Sequence, residues 1–165
     1  MREWLVAGAV IETDEGILLV RNQRRNGSWD WTPPGGVIEA TERADIREGL
    51  AREVLEETGL TVEVWGPMLY EVEAEAPDLG WVMKAQIWRV DAVGGELAAG
   101  NDPDGIVTDA AYVPLQRCGV HLESTHDWVR EPLTEWLDGR WDDQRTYRYR
   151  LEDATSAGRG RIVRL

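Results

Sequence analysis

Residues 46–58 carry both boundaries of a helix, and that helix constrains what can surround it. Asp45 is a good N-cap residue, and Glu48 lies three positions on, the spacing of a capping box. Gly59 follows as a C-terminal stop, and only Gly49 weakens the helix between. The apolar runs before it are too short for helices. Residues 4–11 (WLVAGAVI) and 16–20 (GILLV) are split by Thr13-Asp14-Glu15-Gly16, which reads as strand, turn, strand. A helix after paired strands must cover a sheet. The expected class is therefore α/β (α+β), with a mixed sheet between helices.

Residues 21–36 (RNQRRNGSWDWTPPGG) are polar and rich in Gly and Pro, and predict a loop. Further strands are expected at 61–65, 67–74, 81–90 and 110–115, with an acidic, Gly-rich loop over 91–109. Residues 125–138 place Trp128, Val129, Leu133, Trp136 and Leu137 on one helical face, and Pro132 either kinks that helix or marks a late start. In the tail, Tyr147, Tyr149 and Leu151 alternate with Thr146, Arg148 and Arg150, a period-two strand pattern. Residues 153–160 read as flexible. At 165 residues the chain suits one domain. That domain is expected over residues 1–140, and 141–165 form an Arg-rich extension, a docked strand with a flexible end.

The net charge of −13 argues against binding a nucleic-acid polymer or an anionic membrane, either of which needs a basic face. It suits a protein that collects divalent cations. The charge is uneven: residues 139–165 hold seven arginines against four acids, which leaves the rest at −16. The Arg-rich tail can pair with that acidic body, exchange across a dimer, or stay mobile. Cys118 is the sole cysteine, so an internal disulfide and a Cys-based zinc site are both excluded. No run approaches the roughly 18 apolar residues of a membrane span, and no basic segment leads into an apolar core at the N-terminus. A cytoplasmic monomer or homodimer is expected.

On a helix, Glu53, Glu56 and Glu57 sit at i, i+3 and i+4 and project from one side. Like charges at that spacing repel by about 0.2–0.5 kcal/mol per pair, and a divalent cation removes that cost. Carboxylates without imidazole or thiolate select hard ions such as Mg²⁺ or Mn²⁺. Arg52, four residues before Glu56, can orient a carboxylate through a forked hydrogen bond. Leu50, Val54 and Leu55 supply the apolar side that packs on the sheet. The plain alternative is that these acids form a solvated helix face.

The neighbours change that balance. Residues 35–60, GGVIEATERADIREGLAREVLEETGL, resemble the Nudix box, Gly-x5-Glu-x7-Arg-Glu-U-x-Glu-Glu-x-Gly-U with U aliphatic. Arg52, Glu53, Val54, Glu56, Glu57, Gly59 and Leu60 match every fixed position of its second half, and Gly36 and Glu42 match the first. Trp31-Thr32-Pro33-Pro34-Gly35-Gly36 resembles the W-x-x-P-G-G lead-in common in that family. Two departures stand out. Nine residues, not seven, separate Glu42 from Arg52, with Arg43 and Ala44 the best candidates for the insertion, and Thr41 replaces a frequent glycine. Both bear on the position of Glu42 more than on the helix.

The resemblance implies a Nudix-like α/β/α sandwich and hydrolysis of a nucleoside diphosphate linked to another group. Carried over residue by residue, Glu53, Glu56 and Glu57 would hold Mg²⁺, with Mn²⁺ as a substitute, and the Gly36 carbonyl would be a further ligand. Glu42 would be an outer ligand, and Arg52 would orient the carboxylates. The general base is Glu56, Glu57 or an acid of the 96–109 loop (Glu96, Asp102, Asp104, Asp109), with Asp104 and Asp109 put forward. Arg21, Arg24 and Arg25 are candidate phosphate contacts, or simply solvated loop. Most of the nine tryptophans are expected in packing, with Trp29, Trp81 and Trp88 the candidates for a base platform. His121 and His126 read as surface or capping residues.

The substrate is then a small nucleotide. Ordinary or oxidised nucleoside triphosphates are one reading. ADP-ribose or a nucleotide sugar is another, supported weakly by Pro77, seventeen residues past Leu60. Two readings come from other classes, a Nudix-fold sensor with little catalysis and a plain acidic interaction module.

Overall fold

The computed structural model describes residues 1–165. The chain begins with an antiparallel pair, β1 (Arg2–Thr13) and β2 (Gly16–Gln23), joined by the expected turn. The segment expected as a loop contains two short strands, β3 (Trp29–Thr32) and β4 (Gly35–Val37). They form because β2 and β1 offer open edges: β3 pairs with β2, and β4 pairs with β1 through Ala7↔Gly36. Local composition could not reveal those partners.

Helix α1 (Ile46–Thr58) has the expected bounds. Asp45 Oδ1 accepts from the Arg47 N–H at 3.1 Å, and Gly59 closes the helix at φ 76°, a conformation that favours glycine. The capping reciprocity falls elsewhere than expected. Glu42, not Glu48, accepts from a backbone N–H, that of Glu39, at 3.0 Å, across the 3₁₀ turn Ala40–Glu42 that precedes α1. Leu50 and Val54 are buried beneath α1, but Leu55 is 49% exposed and does not belong to its packing face.

The two strands expected at 61–65 and 67–74 are one, β5 (Thr61–Ala76). Its pairing with β6 (Trp81–Gly94) slips between Trp65 and Met68, a bulge that accommodates Pro67, which has no N–H for the ladder. β7 (Val107–Val113) pairs with β2. A short helix, α2 (Leu115–His121), follows. It escaped the sequence reading because seven residues with an internal glycine carry almost no periodic signal. In α3 (Asp127–Gly139) Pro132 is buried inside the helix.

The strand order is β3-β2-β1-β6-β5-β8-β9, with β4 added to β1 and β7 to β2. The sheet is mixed: β1 runs parallel to β6, and β5 parallel to β8. Apolar side chains separate onto its two faces. Leu50 and Val54 of α1 pack with Ala9, Ile11 and Leu18 on one, and Leu133 and Trp136 of α3 with Leu19, Val72 and Tyr149 on the other. The mixed sheet between helices is thus as expected.

The tail is docked. β8 (Thr146–Glu152) extends the sheet beside β5, burying Tyr147, Tyr149 and Leu151 as their alternation predicts. The end does not trail away, since β9 (Arg161–Arg164) returns antiparallel to β8. Arg148 pairs with Glu73 (3.2 Å), Arg150 with Glu75 (2.6 Å) and Arg164 with Glu135 (2.8 Å), so the basic tail lies on the acidic body. Exposed pairs of this kind contribute about 0–1 kcal/mol each. Burial of Leu151 and of the rings of Tyr147 and Tyr149 contributes roughly 1.5–3 kcal/mol per side chain, less the cost of the two tyrosine hydroxyls sealed without partners. No helix is long and apolar enough to cross a membrane.

Candidate active site

A cavity of about 600 Å³ opens against the sheet, within the range of small-ligand pockets. One rim is α1, which contributes Arg52, Glu53 and Glu57. The floor comes from β1, β5 and β6, including Gly8, Tyr70, Val72, Met83 and Ile87. Gly35 and Gly36 of β4 form the side next to the carboxylates, and Thr125, His126 and Trp128 at the start of α3 form the far wall. A polar, acidic end and an apolar, aromatic end therefore share one space.

Arg52 is the hub of the acidic end. Its Nε donates to Glu42 Oε2 at 2.8 Å and its Nη2 to Glu42 Oε1 at 3.0 Å, a forked pair with a buried carboxylate. Its Nη1 donates to Glu53 Oε1 at 3.1 Å and Glu56 Oε2 at 3.2 Å. These bonds hold the Glu42 carboxyl below its ordinary range, the Arg52 hydrogen bond being the main cause. They also push Arg52 further from neutrality. Glu42 is thereby committed on both oxygens and acts as an anchor for Arg52.

Glu53 and Glu57 behave in the opposite sense. Burial raises the Glu53 carboxyl above the usual carboxylate range, with Glu56 and Asp102 adding to it. Glu57 is 7% exposed, and burial pushes its carboxyl up to about 9 despite a 3.2 Å hydrogen bond from the Gly35 N–H. Glu53, Asp102 and Glu56 all add to that rise. Acids held this close, with Arg52 reaching Glu53 and Glu56 but not Glu57, fit a place for a cation.

The donor set consists of carboxylates beside backbone carbonyls, with no thiolate, which matches a hard divalent ion. No group of three or more Asp, Glu, His or Cys side chains is gathered tightly enough to hold a metal by itself. A bound ion would therefore complete its shell with waters and substrate oxygens, the habit of Mg²⁺. Gly36 fits the same arrangement. A Cβ there would lie 2.8 Å from the Glu53 carboxylate. Gly36→Ala is expected to leave the fold intact but displace Glu53, raising the Mg²⁺ concentration for half-maximal activity about tenfold. A metal titration of activity checks this, and an unchanged midpoint would mean Glu53 is not a ligand.

The other sequence candidates divide clearly. Arg24 lines the cavity and grips Asp30 through Nε (2.8 Å) and Nη2 (2.9 Å). Arg21 instead lies over the Trp29 ring at 4.4 Å, and neither of them lines the cavity, nor does Arg25. Trp81 packs edge-on to Trp128, and Trp88 edge-on to Trp65, and neither lines the cavity. Asp102 and Asp104 face the cavity. Asp109 does not: it sits on β7 opposite Arg21, and its carboxylate accepts from the Ala110 N–H. Glu96 also lies outside the lining.

Sequence reasoning missed the aromatic wall. His126 stacks on Trp128, ring centroids 4.5 Å apart, and burial lowers its pKa so that the neutral ring is favoured. His126 precedes the helix and reads locally as capping, while Trp128 reads as part of the apolar face of that helix, and both line the cavity. The buried Asn22 was missed as well, because an isolated Asn at a strand end carries no pattern.

The fold and this acidic cleft define a small-ligand site lined by carboxylates at one end and aromatic rings at the other. A sequence model of the NUDIX domain matches residues 2–137. The chain is 32% identical to an ADP-ribose pyrophosphatase of Methanocaldococcus jannaschii over 130 residues, 79% of this chain and 72% of that protein. It is 48% identical to a MutT-like protein of Streptomyces ambofaciens over 59 residues, 36% of this chain and 35% of that one. In fold it matches the crystal structure of a MutT protein from Bacillus halodurans, with a TM-score of 0.69, 19% identity, and coverage of 96% of this chain and 97% of that one. The chain belongs to the Nudix hydrolase family and is a pyrophosphohydrolase.

Proposed function

We propose that this chain hydrolyses the pyrophosphate bond of a nucleoside triphosphate, ordinary or oxidised, or of another nucleoside diphosphate derivative, using Mg²⁺ held at Glu53, Glu56 and Glu57. The observation that carries this reading is the single cavity that joins the carboxylate face of α1 to an apolar, aromatic wall. A small nucleotide has the same two-ended character. A second reading, hydrolysis of ADP-ribose or a nucleotide sugar, is favoured by the relative of that name, which spans most of this chain.

Bound Mg²⁺ would lower the pKa of a coordinated water and offset phosphate charge. The residues do the rest. Arg52 holds Glu53 and Glu56 in register, and the Gly35 N–H orients Glu57. Asp102 accepts from the Asp104, Ile106 and Val107 N–H groups at 3.3, 3.1 and 3.0 Å, so it shapes the loop beside the cavity. That leaves the Asp104 carboxylate without protein partners and suited to take a proton from the attacking water. Asp104→Asn is expected to lower kcat about a hundredfold with little change in KM. A variant with normal kcat would shift the base to Glu56.

The test is phosphate-coupled hydrolysis of ADP-ribose, NADH, dinucleoside polyphosphates, and ordinary and 8-oxo nucleoside triphosphates, each with Mg²⁺, Mn²⁺ and chelator. Metal-dependent turnover of one class supports the reading and names that class. Silence across the panel overturns the nucleotide assignment.

A further inference from the structure

The cavity contains a polar group that the metal chemistry does not use. Asn22, at the end of β2, is 5% exposed and forms part of the cavity wall. Its Nδ2 donates to Asp30 Oδ1 at 2.9 Å and to Thr32 Oγ1 at 3.0 Å. Both amide hydrogens are thus spent. Asp30, itself 7% exposed, is held in turn by Arg24 on both carboxylate oxygens.

This network fixes which way the amide faces. A carboxylate only accepts, so turning the amide over would set Asn22 Oδ1 against Asp30 Oδ1, replacing a hydrogen bond between buried groups by a repulsion between two acceptors. Asn22 Oδ1 has no protein partner, yet it is not among the sealed polar atoms that lack one, which are the hydroxyls of Tyr147 and Tyr149. It therefore faces the cavity as an acceptor that cannot become a donor. Beside it, Thr32 Oγ1 takes the Asn22 hydrogen bond and keeps its own hydroxyl hydrogen free, and Thr32 also lines the cavity. Three residues lie between Thr32 and Gly36, so the two are at most about 14 Å apart along extended chain. Thr32, Gly36 and Glu53 line the same cavity, so a nucleotide with its phosphates at the carboxylates can bring its base edge to Thr32.

We propose that Asn22 and Thr32 read the base edge and select an exocyclic amine next to a ring nitrogen acceptor, the edge of adenine and cytosine, over the keto edge of hypoxanthine and uracil. The inference rests on the nucleotide reading above and narrows it. The amine donates to Asn22 Oδ1 while Thr32 donates to the ring nitrogen. A keto oxygen brings a second acceptor against Asn22 Oδ1, and the locked amide cannot turn to meet it.

The experiment compares kcat/KM for ATP with ITP and CTP with UTP, and for N6,N6-dimethyl-ATP, whose amine has lost both hydrogens. Under the proposal the amino member of whichever pair is hydrolysed wins by at least about tenfold, from the lost hydrogen bond and the unpaired acceptor. Dimethyl-ATP then falls to the level of ITP, which needs no altered protein. Asn22→Ala, checked for folding by its melt, reduces the preference to near unity. Equal turnover within the pairs, or a preference that survives in a folded Asn22→Ala, overturns the inference and leaves the nucleotide reading standing. A keto preference overturns it too and assigns base reading to the Arg24 guanidinium. No turnover of any nucleotide overturns both.

Discussion

Glu57→Gln is expected to cut turnover at least a thousandfold while making the metal-free protein more stable than its parent at neutral and alkaline pH. The loss follows from removing an anionic ligand from a site whose bound ion is asked for several kcal/mol of transition-state stabilisation, and about 4 kcal/mol is a thousandfold. The gain follows from burial. The Glu57 carboxyl sits at about 9 in the folded, metal-free protein against an ordinary 4.5. Between those values the unfolded chain releases a proton that the folded chain keeps, so folding becomes less favourable as pH rises through the window. Gln mimics the protonated form and never incurs that loss. Its stability in chelator should exceed that of the parent by a margin that grows from pH 5 toward pH 9, of the order of a few kcal/mol at its largest, seen as a higher melting temperature. Excess Mg²⁺ should reverse the order, because the ion binds the folded parent and stabilises it by mass action. Melts across pH, with and without Mg²⁺, read both effects. A variant that retains near-normal turnover at saturating Mg²⁺ removes Glu57 from the ligand set, and the same holds for Glu56→Gln.

Arg52→Ala should damage stability and activity together. The guanidinium satisfies three carboxylates at once, and one of them, Glu42, is buried. Its removal leaves Glu42 without a counter-ion, a change that typically costs about 3 kcal/mol, or roughly 10 °C in Tm for a domain of this size. The sign with pH is the reverse of that for Glu57. Glu42 is held below 4.5 in the folded parent, so the pair stabilises fully above that pH and fades as the solution is acidified through the lowered value. The gap between parent and Arg52→Ala should therefore be widest at neutral pH and shrink in acid. Turnover should fall more than a hundredfold, since Glu53 and Glu56 lose their common orienting donor. Arg52→Lys should recover part of the stability but little of the turnover, because an ammonium cannot fork onto Glu42 while reaching both others. Equal melting curves for Arg52→Ala and parent at pH 7 would show that the Arg52–Glu42 pair contributes nothing.

Helix α1 shows why its carboxylate face was legible. Its N-cap, its αL stop and the i, i+3, i+4 spacing of Glu53, Glu56 and Glu57 all act within one or two turns, so the chain itself specifies them. The docked tail was legible for a similar reason, since period-two alternation places Tyr147, Tyr149 and Leu151 on one face whatever the strand pairs with. The departures have a common cause. β3 and β4 are too short to be recognised without the open edges of β2 and β1, and the bulge that merges 61–65 with 67–74 exists only because β6 runs alongside.

The same division separates the two ends of the cavity. By itself the sequence determined the fold class, the carboxylate face of α1 and the family, because those rest on residues adjacent along the chain or along one helix. Only the tertiary structure decided the rest. It set Arg52 on Glu42 across a 3₁₀ turn, brought Asp104 but not Asp109 to the cavity, and turned His126 and Trp128 inward from α3. It also locked the Asn22 amide through Asp30 and Thr32. These contacts join side chains from different strands and helices, and whether a side chain faces the cavity, the core or solvent depends on strand register and helix packing, which no local pattern of residues encodes.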